Sequence, residues 1–580
     1  MRLFGGLGWV ETSFRRFRIF SKRIWFNPSF NPSPFHWGGQ NKKSTFFGGH
    51  YFGLLKCKAG APQQGRHESN SPFSDGPTPH RGIRSVGHWV FASLMAISGF
   101  GCGPNVNRER EESVKPAPST EAWFGDGVGG EADAETGVGR SWKWDGGKVV
   151  ERADVQRGEL VEMLDWVDVE NWEVEVPLER FGANLSAGYS KGPISPFGLT
   201  NDRFNFHMFW DADVWVFPAL ALVKPEVARR VPEMRWDQRA GAKENFRAWQ
   251  AAGYPVVKGE KHAPIDELVT LARGVQPMMF PWETDMTGLE RSPNPETRHQ
   301  MHVTGGVALM LHRAIQLGLV EKAKGEEVIR GCAAFYLWRM DKNEDGSYGL
   351  RGVVSPSEWH TVANDLYTNA IADWTIRRAF GEKVWPRGKV RLPRRGDTFA
   401  TFDGDDFDEY QQAAALLAVF PLQHPDIEPE ARAMYRLYRG RHSEFGPAMS
   451  SAIDAVVAAR LGLAREAGED WDASWKPYTE NPAVEFREKP RTGESYFLTG
   501  AAGAVNAAVY GIFGVRIQDE KPGDDEVAIS LRNGGWLTVE PCLPEDWKYV
   551  SARLTVLGRG LEISGSGDEF SVTYDGKKLR

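Results

Sequence analysis

The sequence predicts a mainly α protein: a closed helical barrel over about 205–515, followed by a small C-terminal β-sandwich. Three observations carry this. Between 205 and 515 apolar residues recur at helical spacing in ten to twelve segments joined by irregular loops. No fixed period of 34 or 40 residues runs through them, which disfavours an open solenoid. After about 525 the apolar period changes to two. A chain of 580 residues is several times a typical domain, and its 41% hydrophobic and 25% charged content is that of a soluble globular protein.

Taken in order, residues 1–80 show neither period and mix basic residues with Phe, Gly, Pro, Asn and Ser, so they read as an unstructured leader, or as upstream sequence that the mature protein does not keep. Residues 1–90 carry a net charge of +10, leaving −17 on the remainder. A main body so acidic has little to neutralise phosphates, which argues against nucleic acid as a partner. Within 81–102, Arg81 and Arg84 precede an uncharged run of 13 residues from Trp89 to Gly101, then Cys102. That length suits a signal h-region and is short for a membrane span. Small residues before Cys102 resemble a bacterial lipoprotein cleavage box. The expectation is an exported protein of the bacterial cell envelope, lipidated at Cys102, with no other membrane contact. The stretch 103–140, rich in Glu, Gly, Pro and Ala, reads as a flexible tether, and 141–200 as a small β region, with Glu173-Val-Glu-Val-Pro177 strand-like.

In the helical part, 201–518, Val303, Val307, Leu311, Ala314 and Ile315 share one face and Gly318 follows as a stop. Met449, Ala452, Ile453 and Val456 repeat the pattern, as do Val505, Val509 and Ile512. In 519–580, Val527, Ile529 and Leu531 alternate, Asn533-Gly-Gly offers a turn, and Phe570, Val572 and Tyr574 alternate again. Four scattered cysteines exclude a disulfide framework, and Asp341-Lys-Asn-Glu-Asp345-Gly reads as a turn, because a calcium loop would need Glu where Gly352 stands. The acidic run Asp403–Glu409 reads as a solvated helix start.

Four segments are too polar and too aromatic for plain packing. They are His207-Met-Phe-Trp210-Asp211-Ala-Asp213, Phe280-Pro-Trp282-Glu283-Thr, Ser355-Pro-Ser-Glu358-Trp359-His360 with Tyr367-Thr-Asn369, and Pro482-Ala-Val-Glu485-Phe-Arg-Glu488 ahead of Phe497-Leu-Thr-Gly500. Each sets a carboxylate beside aromatic rings in a loop that borders a helix. Glycoside cleavage asks for that combination: one carboxyl kept protonated, one ionised to activate water, and flat rings against the sugar.

In this order the segments resemble glycoside hydrolase family 65, whose patterns His-x-Phe-Trp-Asp, Pro-Trp-Glu-Ser, Gly-Pro-Asp-Glu-Tyr-His and Tyr-Thr-Asn they follow, and Pro541-Cys-Leu-Pro544-Glu-Asp-Trp547 matches a further stretch. The resemblance covers about 200–580. It implies an (α/α)6 barrel, a substrate that is an α-glucoside, and a reaction without metal or organic cofactor. It implies Glu358 as general acid and Glu488 as base for water. Trp210, Asp211, Trp282 and Glu283 would grip the glucose, with His360 and Gln412 as further substrate contacts. The expected activity is inverting hydrolysis. A disaccharide phosphorylase using inorganic phosphate, and a non-catalytic glycan-binding protein on the same barrel, stay open beside it. The sequence departs from the family where Gln411-Gln412-Ala-Ala replaces Lys-Gln-Ala-Asp, and where Ser355-Pro-Ser357 replaces Gly-Pro-Asp.

Overall fold

A computed structural model describes four strands between 120 and 156, then residues 166–188, 195–198 and 203–580 apart from 295, 359, 480–485, 524–526 and 568. The expected leader, signal-like segment and Cys102 lie outside the described residues.

Six helical stretches form the centre. They are the π-helical turn Ala212–Val216 continuing as helix Phe217–Val223, helix His302–Gln316, helix Leu366–Phe380, the short turn Ala415–Ala418, helix Ser451–Arg460, and helix Leu498–Asn506 continuing as the π-helical turn Ala507–Ile512. Each packs on the next, and the last packs on the first. Outside them lie helices Trp172–Gly188, Arg230–Asp237, Lys322–Arg339, Ala431–Tyr438 and Ala464–Trp475. The apolar stripe Val303, Val307, Leu311, Ala314 and Ile315 is buried as its spacing predicts. Each Val, Leu or Ile side chain of the stripe contributes roughly 1.5–3 kcal/mol. Helices His302–Gln316 and Leu366–Phe380 approach closely because Gly305 has no side chain: a Cβ there would lie 2.7 Å from the Ile371 side chain and 2.8 Å from the Tyr336 hydroxyl. Helix His302–Gln316 ends at Gly318, at a φ of 70°, where the stop was expected.

Two antiparallel sheets close the chain. One orders Val515–Gln518, Trp536–Val539 and Ala528–Ser530, and begins before residue 519, where the sandwich was expected to start. The other orders Lys577–Lys578, Glu569–Tyr574, Arg559–Ser566 and Val550–Val556, and takes its edge strand, Val167–Val169, from ahead of the helices. Along Val550–Val556 every second residue is buried.

Three expectations are corrected. The tether expected over 103–140 contains strands Thr120–Gly125, Val128–Asp133 and the start of Val138–Asp145, which with Lys148–Gln156 form an antiparallel meander. Asp126-Gly127 and Gly146-Gly147, a composition that suits two-residue hairpins, separate the strand pairs. The strand-like Glu173–Pro177 lies in helix Trp172–Gly188, because Val174, Leu178, Phe181 and Leu185 at helical spacing bury one face. Asp403–Glu409 starts no helix: Asp403 binds Arg391 and Asn364, and buried Asp405 accepts from the Tyr410 hydroxyl and the Thr401 N–H. The Asp341 segment is a hairpin turn, with Asp341 paired to Arg339 and His262.

Candidate active site

Glu358 sits on the loop between two short paired strands, Arg351–Val354 and Thr361–Ala363, ahead of helix Leu366–Phe380. Three contacts pin this loop. The Glu358 N–H donates to the Ser355 carbonyl (2.8 Å), the Ser355 hydroxyl donates to Asp365 Oδ2 (2.8 Å), and Gln412 Nε2 donates to the Pro356 carbonyl (2.7 Å). Asp365 also caps the helix, accepting from the Thr368 N–H at 2.8 Å and its hydroxyl at 2.7 Å. Burial pushes the Asp365 carboxyl up to about 6, against those hydrogen bonds. So held, Glu358 keeps a φ of 64°, a left-handed conformation that costs a non-glycine residue about 1–2 kcal/mol.

The Glu358 carboxyl accepts from Gln411 Nε2 at Oε2 (2.9 Å) and, weakly, from Gln300 Nε2 at Oε1 (3.4 Å). Burial, then the negative charges of Asp211 and Glu488, raise it to about 7, against donation from Gln300 and the Trp282 indole N–H. That indole N–H has no partner of normal hydrogen-bond geometry, so it acts on Glu358 as a nearby dipole. Asp211 is 5% exposed and accepts from the Thr499 hydroxyl at 2.7 Å. Burial lifts it to about 6, with Thr499 pulling down and Glu488 pushing up. Glu488 lies on strand Arg487–Lys489, whose carbonyl at 488 accepts from the Ala448 N–H (2.9 Å). Its charge acts on both Asp211 and Glu358, so three carboxyl groups from distant parts of the chain lie near enough to influence one another.

The aromatic residues are less uniform. Trp210 is 2% exposed, with its ring in T-shaped contact with Trp215 and His302 at 4.6 and 4.5 Å. Trp282 is half-buried, edge-on to Phe209, with its N–H toward Glu358. Glu283 is buried and bound to His207 Nδ1 at 2.6 Å, which commits its carboxylate to aligning the two motif segments. Strands Met208–Phe209 and Glu283–Thr284 pair directly. His360 accepts or donates at Ser357 Oγ (3.1 Å) and packs on Phe402 and Phe407. Gln412 holds the acid loop through Pro356 and its neighbour Gln411 reaches the acid.

Sequence reasoning named neither Gln411, Gln300 nor Thr499 as site residues. Gln300 stands between Glu358 and buried His302, whose Nε2 lies 2.9 Å from Gln300 Oε1. Burial drives His302 down to about 3, so it is neutral, and its Nε2–H turns the Gln300 amide N–H toward Glu358. The available clue for Thr499 was its place inside Phe-Leu-Thr-Gly; Gln300 carries none beyond its position two residues before a histidine at a helix start. Phe204, Asn205 and Phe206, all left-handed at φ 59°, 53° and 58°, lead into His207 and set the direction of the Trp210-Asp211 segment. Among the described residues no group of three His, Cys, Asp or Glu side chains could hold a metal ion.

Residues 184–388 match the profile of the Glycosyl hydrolase family 65 central catalytic domain, a segment that includes Asp211, Trp282 and Glu358 and stops short of Gln411 and Glu488. The chain is 27% identical over 390 residues to a kojibiose hydrolase of Mucilaginibacter mallensis, covering 63% of this chain and 51% of that one. It is 26% identical over 415 residues to a protein-glucosylgalactosylhydroxylysine glucosidase of Danio rerio, covering 67% and 57%. It thus spans about half the length of the curated relatives it matches. A solved structure from the human microbiome, provisionally described as a kojibiose phosphorylase, shares the fold at a TM-score of 0.54 and 16% identity, over 79% of this chain and 78% of that one. The motif segments and the matched profile together make residues 184–388 similar to the central catalytic domain of glycosyl hydrolase family 65.

Proposed function

We propose that the chain is an inverting glycoside hydrolase that releases glucose from an α-glucoside, a disaccharide or a glucosylated glycan. The single observation that carries this is the Glu358 carboxyl held by the Gln411 and Gln300 amides, where burial and the charges of Asp211 and Glu488 favour its protonated form. Glu358, kept protonated by burial and by its two acidic neighbours, donates its proton to the glycosidic oxygen. Glu488 takes a proton from water, which attacks the anomeric carbon on the face opposite the leaving group, and β-glucose results. Inversion needs the two carboxyl groups roughly 6.5–9.5 Å apart, with that water between them. Asp211, held by Thr499, is placed to bind sugar hydroxyls at the same centre, and Trp282 lines it.

The scaffold we infer is an (α/α)6 barrel. Supporting this, the six central stretches close a ring, and the site residues precede or begin them: Asp211 ahead of Ala212, Gln300 ahead of His302, Glu358 ahead of Leu366, Gln411 ahead of Ala415, and Glu488 ahead of Leu498. Export with lipidation at Cys102 remains part of the proposal; no helix among the described residues is long and apolar enough to cross a membrane.

The reading with phosphate as nucleophile is favoured by the fold of the solved neighbour and disfavoured by the placement of Glu488. An NMR time course on a panel of α-linked glucose disaccharides, with and without phosphate, decides. β-Glucose released without phosphate is the expected result. A sugar 1-phosphate formed only with phosphate would establish the phosphorylase. Binding without any turnover would leave a glycan-binding protein.

A further inference from the structure

Glu358 is held at both oxygens, but unequally: the Gln411 amide lies at 2.9 Å from Oε2 and the Gln300 amide at 3.4 Å from Oε1. A protonated carboxyl has one oxygen that carries hydrogen and one that only accepts. The oxygen with the shorter N–H contact is the one that only accepts, so the proton resides on Oε1. Gln411 is itself rigidly placed. The preceding residue, Tyr410, is tied to the 441–443 segment on both sides: its N–H donates to the Arg441 carbonyl (2.8 Å) and its carbonyl accepts from the Ser443 N–H (2.7 Å). Gly446 packs so closely that a Cβ there would lie 2.2 Å from the Gln411 carbonyl oxygen. Gln412 anchors the next residue to the acid loop through Pro356.

We propose that Gln411 is a positioning residue that sets which oxygen of Glu358 donates its proton and, being neutral, the pH up to which it does so. The inference rests on the hydrolase reading above. A lysine at this position would supply the same N–H contact with a positive charge, and charge favours the ionised carboxyl. The charged groups acting on Glu358 from the surrounding segments are both acidic, Asp211 ahead of Ala212 and Glu488 on strand Arg487–Lys489. His302 and His299, on the segment that carries Gln300, are held low by burial to about 3 and 4, and His360 on the acid loop is lowered by burial as well. Among the described residues, the largest charge influences on Glu358 are thus both negative, and the neutral amide at 411 leaves the balance as they set it.

The test is the pH profile of kcat in the full chain with Gln411→Lys and Gln411→Leu, on whichever α-glucoside the wild type turns over. For Gln411→Lys the alkaline limb should move down by about one pH unit, so turnover at pH 7 falls roughly fivefold while turnover at pH 5 is little changed. For Gln411→Leu, kcat should fall about tenfold with KM nearly constant, because the proton is no longer confined to Oε1. An unmoved alkaline limb in Gln411→Lys, with the variant folded, overturns the proposal. If the wild type turns over no glucoside at all, the hydrolase reading fails by itself. Isotope-edited infrared titration of the Glu358 carboxyl in wild type and Gln411→Lys then decides the charge effect alone, with a lower midpoint supporting it and an equal one overturning it.

Discussion

Replacing Glu358 with glutamine separates catalysis from stability in a way the site makes specific. The amide has the carboxyl's shape and the neutrality that burial favours, and it cannot donate a proton to a leaving group. Turnover should fall by about 10²–10⁴-fold, the usual contribution of a positioned general acid. Stability should move the other way. The carboxyl is raised from 4.5 to about 7 on folding, so its contribution is whole below the unfolded value and is lost as pH rises through the folded one. Above pH 8 the wild type holds an ionised, partly buried carboxylate facing two others, a penalty on the order of 2–3 kcal/mol. Glu358→Gln removes it. Urea denaturation at pH 5 and pH 8.5, with kcat measured at pH 6, tests both halves. The variant should match the wild type at pH 5, exceed it at pH 8.5, and be nearly inactive. Near-normal turnover at pH 6 would refute the assignment of the acid, and a variant less stable than wild type at pH 8.5 would refute the account of its surroundings.

Other outcomes follow from the same geometry. Wild-type kcat should decline with an apparent pKa near 7 on the alkaline side, since the acid must keep its proton, and a pH–rate profile checks this. Glu488→Ala should lose hydrolysis and recover partly with azide, which needs no base, as measured by the appearance of glycosyl azide. Asp365→Ala removes both a helix cap and the anchor of Ser355, so it should cost about 1–2 kcal/mol in denaturation and lower kcat more than it raises KM. Arg235→Ala leaves Asp213 buried without its cation, at a cost of about 3–5 kcal/mol, visible as a fall in the urea midpoint.

The sequence was most legible where side chains must do chemistry in a set order. Glu358 and Glu488, far apart in the chain, stood out as candidates because each sits in a run of polar and aromatic residues and because those runs resemble the motifs of glycoside hydrolase family 65. The stripe from Val303 to Ile315 was legible because helical spacing translates directly into one buried face. Loops were read less well. Gln411 and Gln412 are adjacent, and nothing periodic says which one turns toward the acid; only the backbone path from Tyr410 to Ala413 decides. Trp210 shows the same limit, since an indole in a motif can line a hollow or brace it, and His302 and Trp215 already occupy its edges. At 120–140, glycine-rich composition concealed segments that pair into strands, and at Glu173–Pro177 a short alternation concealed a longer helical face.

Strand Val167–Val169, at the edge of the last sheet, has a further effect on how the polypeptide comes to be assembled. It leaves the ribosome before any of the helices that carry the acidic residues, yet its hydrogen-bonding partner, Val550–Val556, is among the final stretches made. During synthesis that edge waits unpaired for about two thirds of the translation time, exposed to other chains. A clone ended before residue 550 would therefore forfeit more than a C-terminal appendage, because the segment that precedes the first helix loses its seat.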